Sequence, residues 1–177
     1  MPDQHSHSPL PLAGEGAGDR GYAHWLVLSA VVIALDQISK LAISSHFAYG
    51  EAMHITDFFN LVLAHNQGAA FSFLNDAGGW QRWLFSAIAV VASVWIVTLL
   101  RQHRQQKLFC LALALVLGGA LGNLIDRIAY GYVVDFLDFH WNASHFPAFN
   151  VADSAISVGA ALLILDSFKK DTRVDGA

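Results

Sequence analysis

Four segments of this chain are apolar over nearly the whole length that a helix needs to cross the hydrocarbon core of a bilayer, about 20 residues. They run from about His24 to Ser45, Trp83 to Leu100, Leu108 to Ile128 and Val151 to Phe168. Nothing else constrains the fold as strongly. In lipid every backbone N–H and C=O must be satisfied within the structure, so segments of this length span as helices. Composition agrees: of 177 residues, 55% are hydrophobic and 14% charged, too apolar for an ordinary soluble domain of this size. The expected fold class is an α-helical integral membrane protein with four transmembrane helices and a small extracytoplasmic β-sheet forming a loop cradle.

The sheet is expected between the first two spans. There Phe58-Phe59-Asn60-Leu61-Val62-Leu63 is a β-type run, punctuated afterwards by Asn66-Gln67-Gly68 and Asn75-Asp76-Ala77-Gly78-Gly79. Residues 1–21, with Pro2, Pro9 and Pro11 and little apolar bulk, read as a disordered cytoplasmic tail. They lack the basic start, apolar middle and cleavage site of a secretory leader, so the first span is expected to be retained. The membrane domain is expected over residues 22–170, with a short cytoplasmic tail over 171–177. Cytoplasmic loops carry the excess of Lys and Arg. Arg101, Arg104 and Lys107 between the second and third spans, and Lys169, Lys170 and Arg173 after the fourth, place both ends of the chain inside. The links Phe47–Gln81 and Ala129–Asn150 then lie outside.

Several function classes drop out. A formal charge of −4 with scattered basic residues argues against nucleic acid. Cys110 is the single cysteine, so neither an intrachain disulfide nor a CxxC metal site is available. Nine histidines invite a metal, yet there is no HExxH, and His140 and His145 have no further ligand at suitable spacing; no metal or cofactor is expected. No GxSxG supports a serine mechanism. A transport unit would share the intramembrane charges, but the chain shows neither an inverted repeat nor paired broken helices.

The polar residues of the spans remain. Asp135 and Asp153 each stand where an apolar segment meets a polar stretch, and a carboxylate at such a boundary is costly unless it pairs or works. Asn123, Asp126 and Arg127 stand at i, i+3 and i+4 on the third span, with Gly118 and Gly122 one turn deeper allowing close approach of a neighbouring helix. A polar seam in which Asp126 and Arg127 neutralise one another is an equal reading of that face. Asp36 and Lys40 form an i, i+4 pair, either a helix-stabilising ion pair with Lys40 snorkelling to the interface or a support of the site. The stretch His65-Asn66-Gln67-Gly68-Ala69-Ala70-Phe71-Ser72 fits close approach of backbone to a ligand, or an ordinary turn.

Asp36-Gln37-Ile38-Ser39-Lys40, His65-Asn66-Gln67-Gly68-Ala69-Ala70-Phe71, the stretch from Gly118 to Phe136, and Phe149-Asn150-Val151-Ala152-Asp153-Ser154, in that order, closely resemble the motifs of the lipoprotein signal peptidase family, also called signal peptidase II. The resemblance covers nearly the whole membrane domain. It implies a membrane aspartyl peptidase with a catalytic dyad at Asp135 and Asp153. Asn66, Asn123, Arg127 and Asn150 would position substrate or dyad, Asp126 would support the folding of the site, and Asp36 and Lys40 fall on the first motif. It also implies prolipoprotein substrates with a lipidated lipobox cysteine, contact with membrane lipid, globomycin-type inhibitors, and an inner-membrane location with the site near the outer face. A monomer is expected.

Overall fold

The computed structural model describes residues 21–68 and 79–174. The tail expectation over residues 1–21 and the motif residues Ala69 to Ser72 therefore lie almost wholly outside the described residues. Four long helices are present: α1 (Ala23–His46), α2 (Trp80–Gln102), α3 (Lys107–Ala129) and α4 (Val151–Val174). Each has a stretch long and apolar enough to cross a membrane. Their limits lie within a few residues of the hydropathy segments, except that α4 continues past its apolar part.

Helix α3 is the centre of the bundle. Its apolar window is 56% buried against 22%, 22% and 17% for α1, α2 and α4, because it packs on all three of the others. Small residues make this possible. A Cβ on Gly118 would come 2.6 Å from Val32 Cβ, and one on Gly122 would come 2.7 Å from Asp36 Oδ2, so this pair seats α1. On the opposite flank a Cβ on Gly119 would run into the Ala152 carbonyl oxygen of α4. The three outer helices keep large apolar side chains exposed, among them Val31, Leu35, Ile38, Val91, Trp95, Ile164 and Phe168, as lipid-facing surfaces do. At the end remote from the sheet, Ile96, Leu100, Cys110, Leu113 and Leu117 form the tightest apolar cluster. Cys110 is fully buried there.

An antiparallel sheet caps the other end, in the order β1 (Ala52–Thr56), β2 (Phe59–Asn66), β3 (Val133–Trp141), β4 (Ser144–His145). The sequence marks β2 but not β3, because Val133-Val134-Asp135-Phe136-Leu137-Asp138 buries both faces in part and lacks polar alternation. The central pair joins chain segments from two different links, so the sheet ties the α1–α2 connection to the α3–α4 connection. Between Leu61↔Leu137 and Ala64↔Asp135 the register shifts, with one extra residue on β2. Such a bulge bends a strand and re-aims its side chains, and here it falls beside Asp135.

Candidate active site

Asp135 stands on β3 with its side chain 2% exposed, at the point where the sheet meets the helix ends. Asp153 lies in the first turn of α4, where the positive end of the helix dipole favours an acid. The two carboxylates are close enough for the charge of one to act on the other. The asparagines bridge them. Asn150 Nδ2 donates to Asp135 Oδ1 at 2.7 Å, and Asn150 Oδ1 accepts the backbone N–H of Asp153 at 2.9 Å, capping α4. Asn123 Nδ2 donates to Asp153 Oδ1 at 2.7 Å. Asp153 is thus held through Oδ1 by the Asn123 amide, and Asp135 through Oδ1 by the Asn150 amide with a further hydrogen bond from Asn66.

The Asp135 carboxyl is pushed up to about 7, first by burial and then by the charge of Asp153, with hydrogen bonds from Asn66 and Asn150 working against the rise. This is the expected behaviour of two carboxylates that cannot both ionise at close range. Asn66 reaches Asp135 from the end of β2 and also accepts the Gly68 N–H at 2.8 Å. The turn reading of this motif is thus seen at Asn66 and Gly68. Gly68 has φ +100°, and a Cβ there would come 2.7 Å from Phe85 Cε2, so only glycine fits.

Behind the aspartates lies a second polar layer. Lys40 Nζ sits 2.8 Å from Asp36 Oδ2, 2.8 Å from Asp126 Oδ2 and 3.0 Å from Asn123 Oδ1. Lys40, Asp36 and Asp126 are 3%, 0% and 1% exposed. Lys40 thus does not snorkel. It is drawn inward because two carboxylates from different helices meet there, and an ammonium between them removes the repulsion. Asp36 Oδ1 further accepts the Ala152 N–H at 2.9 Å, and Asp126 Oδ2 accepts the Val134 N–H at 3.1 Å. The two carboxyl groups from the first and third spans thereby pin the residues that immediately precede Asp153 and Asp135.

The seam reading paired Asp126 with Arg127, and the structure does not. Consecutive helical residues do not face each other; Asp126 turns inward to Lys40, whereas Arg127 turns toward α2 with its guanidinium 5.3 Å from the Phe85 ring centroid. Among the described residues Arg127 has no ion pair shorter than 4.0 Å, and its buried Nε has no hydrogen-bond partner. It nonetheless lies in the field of Asp153, Asp126 and Asp135. Gln37 also joins the site: its Nε2 donates to Asp126 Oδ1 at 2.8 Å and to Gly122 O at 3.2 Å, tying α1 to α3. Its sequence signal was only its place between Asp36 and Lys40. Among the described residues no three His, Cys, Asp or Glu side chains converge as an ion site.

These features define a multi-span membrane protein whose buried polar residues, contributed by three spans and a sheet, converge on a pair of aspartates at one end of the bundle. A profile of the signal peptidase (SPase) II family matches residues 28–169. The chain is 59% identical over 159 residues to the lipoprotein signal peptidase of Ralstonia nicotianae, covering 90% of this chain and 92% of that one. It is 60% identical over 148 residues to that of Burkholderia vietnamiensis, covering 84% and 89%. A solved chain described as a bacterial membrane enzyme superposes with a TM-score of 0.76 at 29% identity, covering 85% of this chain and 91% of that one. The chain belongs to the signal peptidase II family, aspartic-type peptidases that cleave signal peptides from prolipoproteins.

Proposed function

We propose that Asp135 and Asp153 are the catalytic dyad of an endopeptidase that cuts prolipoproteins on the N-terminal side of a diacylglyceryl-modified lipobox cysteine. The observation that carries the assignment is the pairing itself: two carboxylates within reach of each other's charge, each fixed by an asparagine amide. Sharing one proton, the charged carboxylate takes a proton from an attacking water while the protonated one donates to the scissile carbonyl oxygen. In the resulting gem-diol intermediate the proton taken from water passes to the amide nitrogen, the C–N bond breaks, and a hydroxyl proton goes back to the other carboxylate, which restores the shared proton. Asn66 and Arg127 border the dyad from β2 and α3 and are suited to hold the peptide. A donor such as the Arg127 Nε, unsatisfied within the described residues, has its natural partner in a substrate carbonyl.

The membrane placement follows the same reading. Arg101, Arg104 and Lys107 lie at the bundle end remote from the dyad, which supports cytoplasmic ends and a site at the outer face. The sheet and its β1–β2 turn expose Met53, Ile55, Phe58, Phe139 and Trp141, a composition suited to the headgroup layer, where aromatic side chains collect. There it would flank the acyl chains and the peptide, in a peptidase unit spanning residues 22–170 that works as a monomer and also admits globomycin-type cyclic peptides.

Asp135→Asn and Asp153→Asn test the dyad. Each is expected to insert and fold but lose at least about a hundredfold in cleavage of a lipid-modified precursor peptide, since an amide cannot pass the shared proton. Folded variants retaining half of the original turnover would remove the assignment.

A further inference from the structure

The amide orientations of Asn123 and Asn150 follow from groups that can only donate. The Asp153 backbone N–H points at Asn150 Oδ1, so Asn150 Nδ2 faces Asp135. The Lys40 ammonium, with three donors and no acceptor, points at Asn123 Oδ1 at 3.0 Å, so Asn123 Nδ2 faces Asp153. A flipped Asn123 would set its NH2 against the ammonium and its oxygen against the Asp153 carboxylate, two repulsive contacts in place of two attractive ones. Among the described residues the only other donor at Asn123 Oδ1 is Asn150 Nδ2, more distant at 3.3 Å and shared with Asp135 and the Val134 carbonyl. Lys40 therefore decides which end of Asn123 Asp153 meets, although it touches neither dyad carboxylate at salt-bridge distance among the described residues.

We propose that Lys40 is a positioning residue of the reaction: clamped between Asp36 and Asp126, it locks the Asn123 amide with its N–H toward Asp153, which makes Asp153 the ionised, proton-accepting member and leaves the shared proton on Asp135. The proposal rests on the dyad reading above. Charged groups around the lock are Asp36 on α1 and Asp126 on α3; around Asp153 they are Asp135 on β3, Arg127 on α3 and Asp36 on α1. The field of Lys40 reaches both dyad members, but only Asp153 is linked to it by a directed hydrogen-bond chain. The helix dipole at the start of α4 acts in the same sense.

The test is the double substitution Lys40→Met with Asp126→Asn, which keeps the net charge of the Lys40, Asp36 and Asp126 trio while removing the donor to Asn123. In the folded, monodisperse protein kcat should fall by about a hundredfold, the scale of a mispositioned reacting group, with KM little changed. The acid limb of the pH profile should move to higher pH, because Asp153 becomes harder to ionise. The same double substitution placed on Asn123→Ala should cost little more, since Lys40 acts through that amide. Lys40→Arg, which keeps a donor-only cation, should recover part of the loss. An unchanged acid limb and kcat, or a full additional loss on Asn123→Ala, overturns the proposal. Should the double variant not fold, Lys40→Gln, which keeps hydrogen-bonding capacity without a fixed donor, is read against the same outcomes. Asp153→Asn assayed alongside separates the two readings: normal cleavage removes the dyad itself, whereas an inert Asp153→Asn with additive Lys40 effects removes only the lock.

Discussion

Gly119→Ala puts the helix packing to a direct test. Gly119 lies one turn before Asn123 on α3, and Ala152, the residue before Asp153, crosses directly over it. An added Cβ is driven into the Ala152 carbonyl oxygen and comes 2.7 Å from Ile156 Cγ1, whereas ordinary contact begins at 3.4 Å. The obstacle is a backbone carbonyl inside a helix, not the end of a flexible chain, so α4 as a whole must retreat, by about 1 Å. That movement stretches the 2.7 Å bond from Asn123 to Asp153 and the 2.9 Å bond from Ala152 N–H to Asp36. Overpacking of this kind costs about 1–3 kcal/mol, a fall in melting temperature of about 2–4 °C per kcal/mol for a chain of this size. Turnover should suffer more, by about a hundredfold for a reacting group displaced by that distance. Detergent-solution melting and cleavage of a lipid-modified precursor, measured on the same preparation, give both numbers. A Gly119→Ala protein with unaltered turnover would show that the α3–α4 contact does not set the position of Asp153.

A carboxyl whose folded value stands above its ordinary value of 3.8 favours the fold in its protonated form, so the contribution of Asp135 is full below about pH 4 and is lost as pH rises through about 7. Melting temperature should fall across that window in the unaltered protein and fall less in Asp135→Asn; parallel curves would show that Asp135 titrates normally. Turnover should decline above about pH 7 as the shared proton leaves Asp135, and a flat profile up to pH 9 would refute a shared proton. Arg127→Ala should cost about 2 kcal/mol in stability, the scale of a desolvated cation on the Phe85 ring, but about a hundredfold in turnover if its donors serve the substrate carbonyl; a large melting loss with normal cleavage by the folded fraction would make it a tether. Cysteine replacements at Gln105 and Ser144 should react with impermeant reagents from opposite sides, Gln105 from the cytoplasm, and the reverse labelling would invert the placement of the site.

What the sequence determined by itself was whatever depends on local pattern. Four apolar stretches of spanning length are helices wherever lipid is the solvent, because the backbone has no other way to satisfy its polar groups. The Phe58–Leu63 run and its glycine and asparagine punctuation identified the strand now seen as β2, and the resemblance to the family's motifs brought the candidates from Asp36 to Asp153 into view. Which of these residues meet was not local information. That Asp126 pairs with Lys40 and not with its neighbour Arg127, that Lys40 turns inward instead of toward the interface, and that Gly119 as well as Gly118 and Gly122 is a contact point all depend on which faces of α1, α3 and α4 come together. Strand β3 escaped because its pairing with β2 and its bond to Phe149 supply the reason for its extension, and both partners are remote in sequence. The tertiary structure decided the electrostatics for the same reason: Asp135 is pushed up to about 7 by burial first and by the charge of Asp153 second, and Asp135 and Asp153 coincide only after a sheet joins the two links and α3 gathers the spans around it.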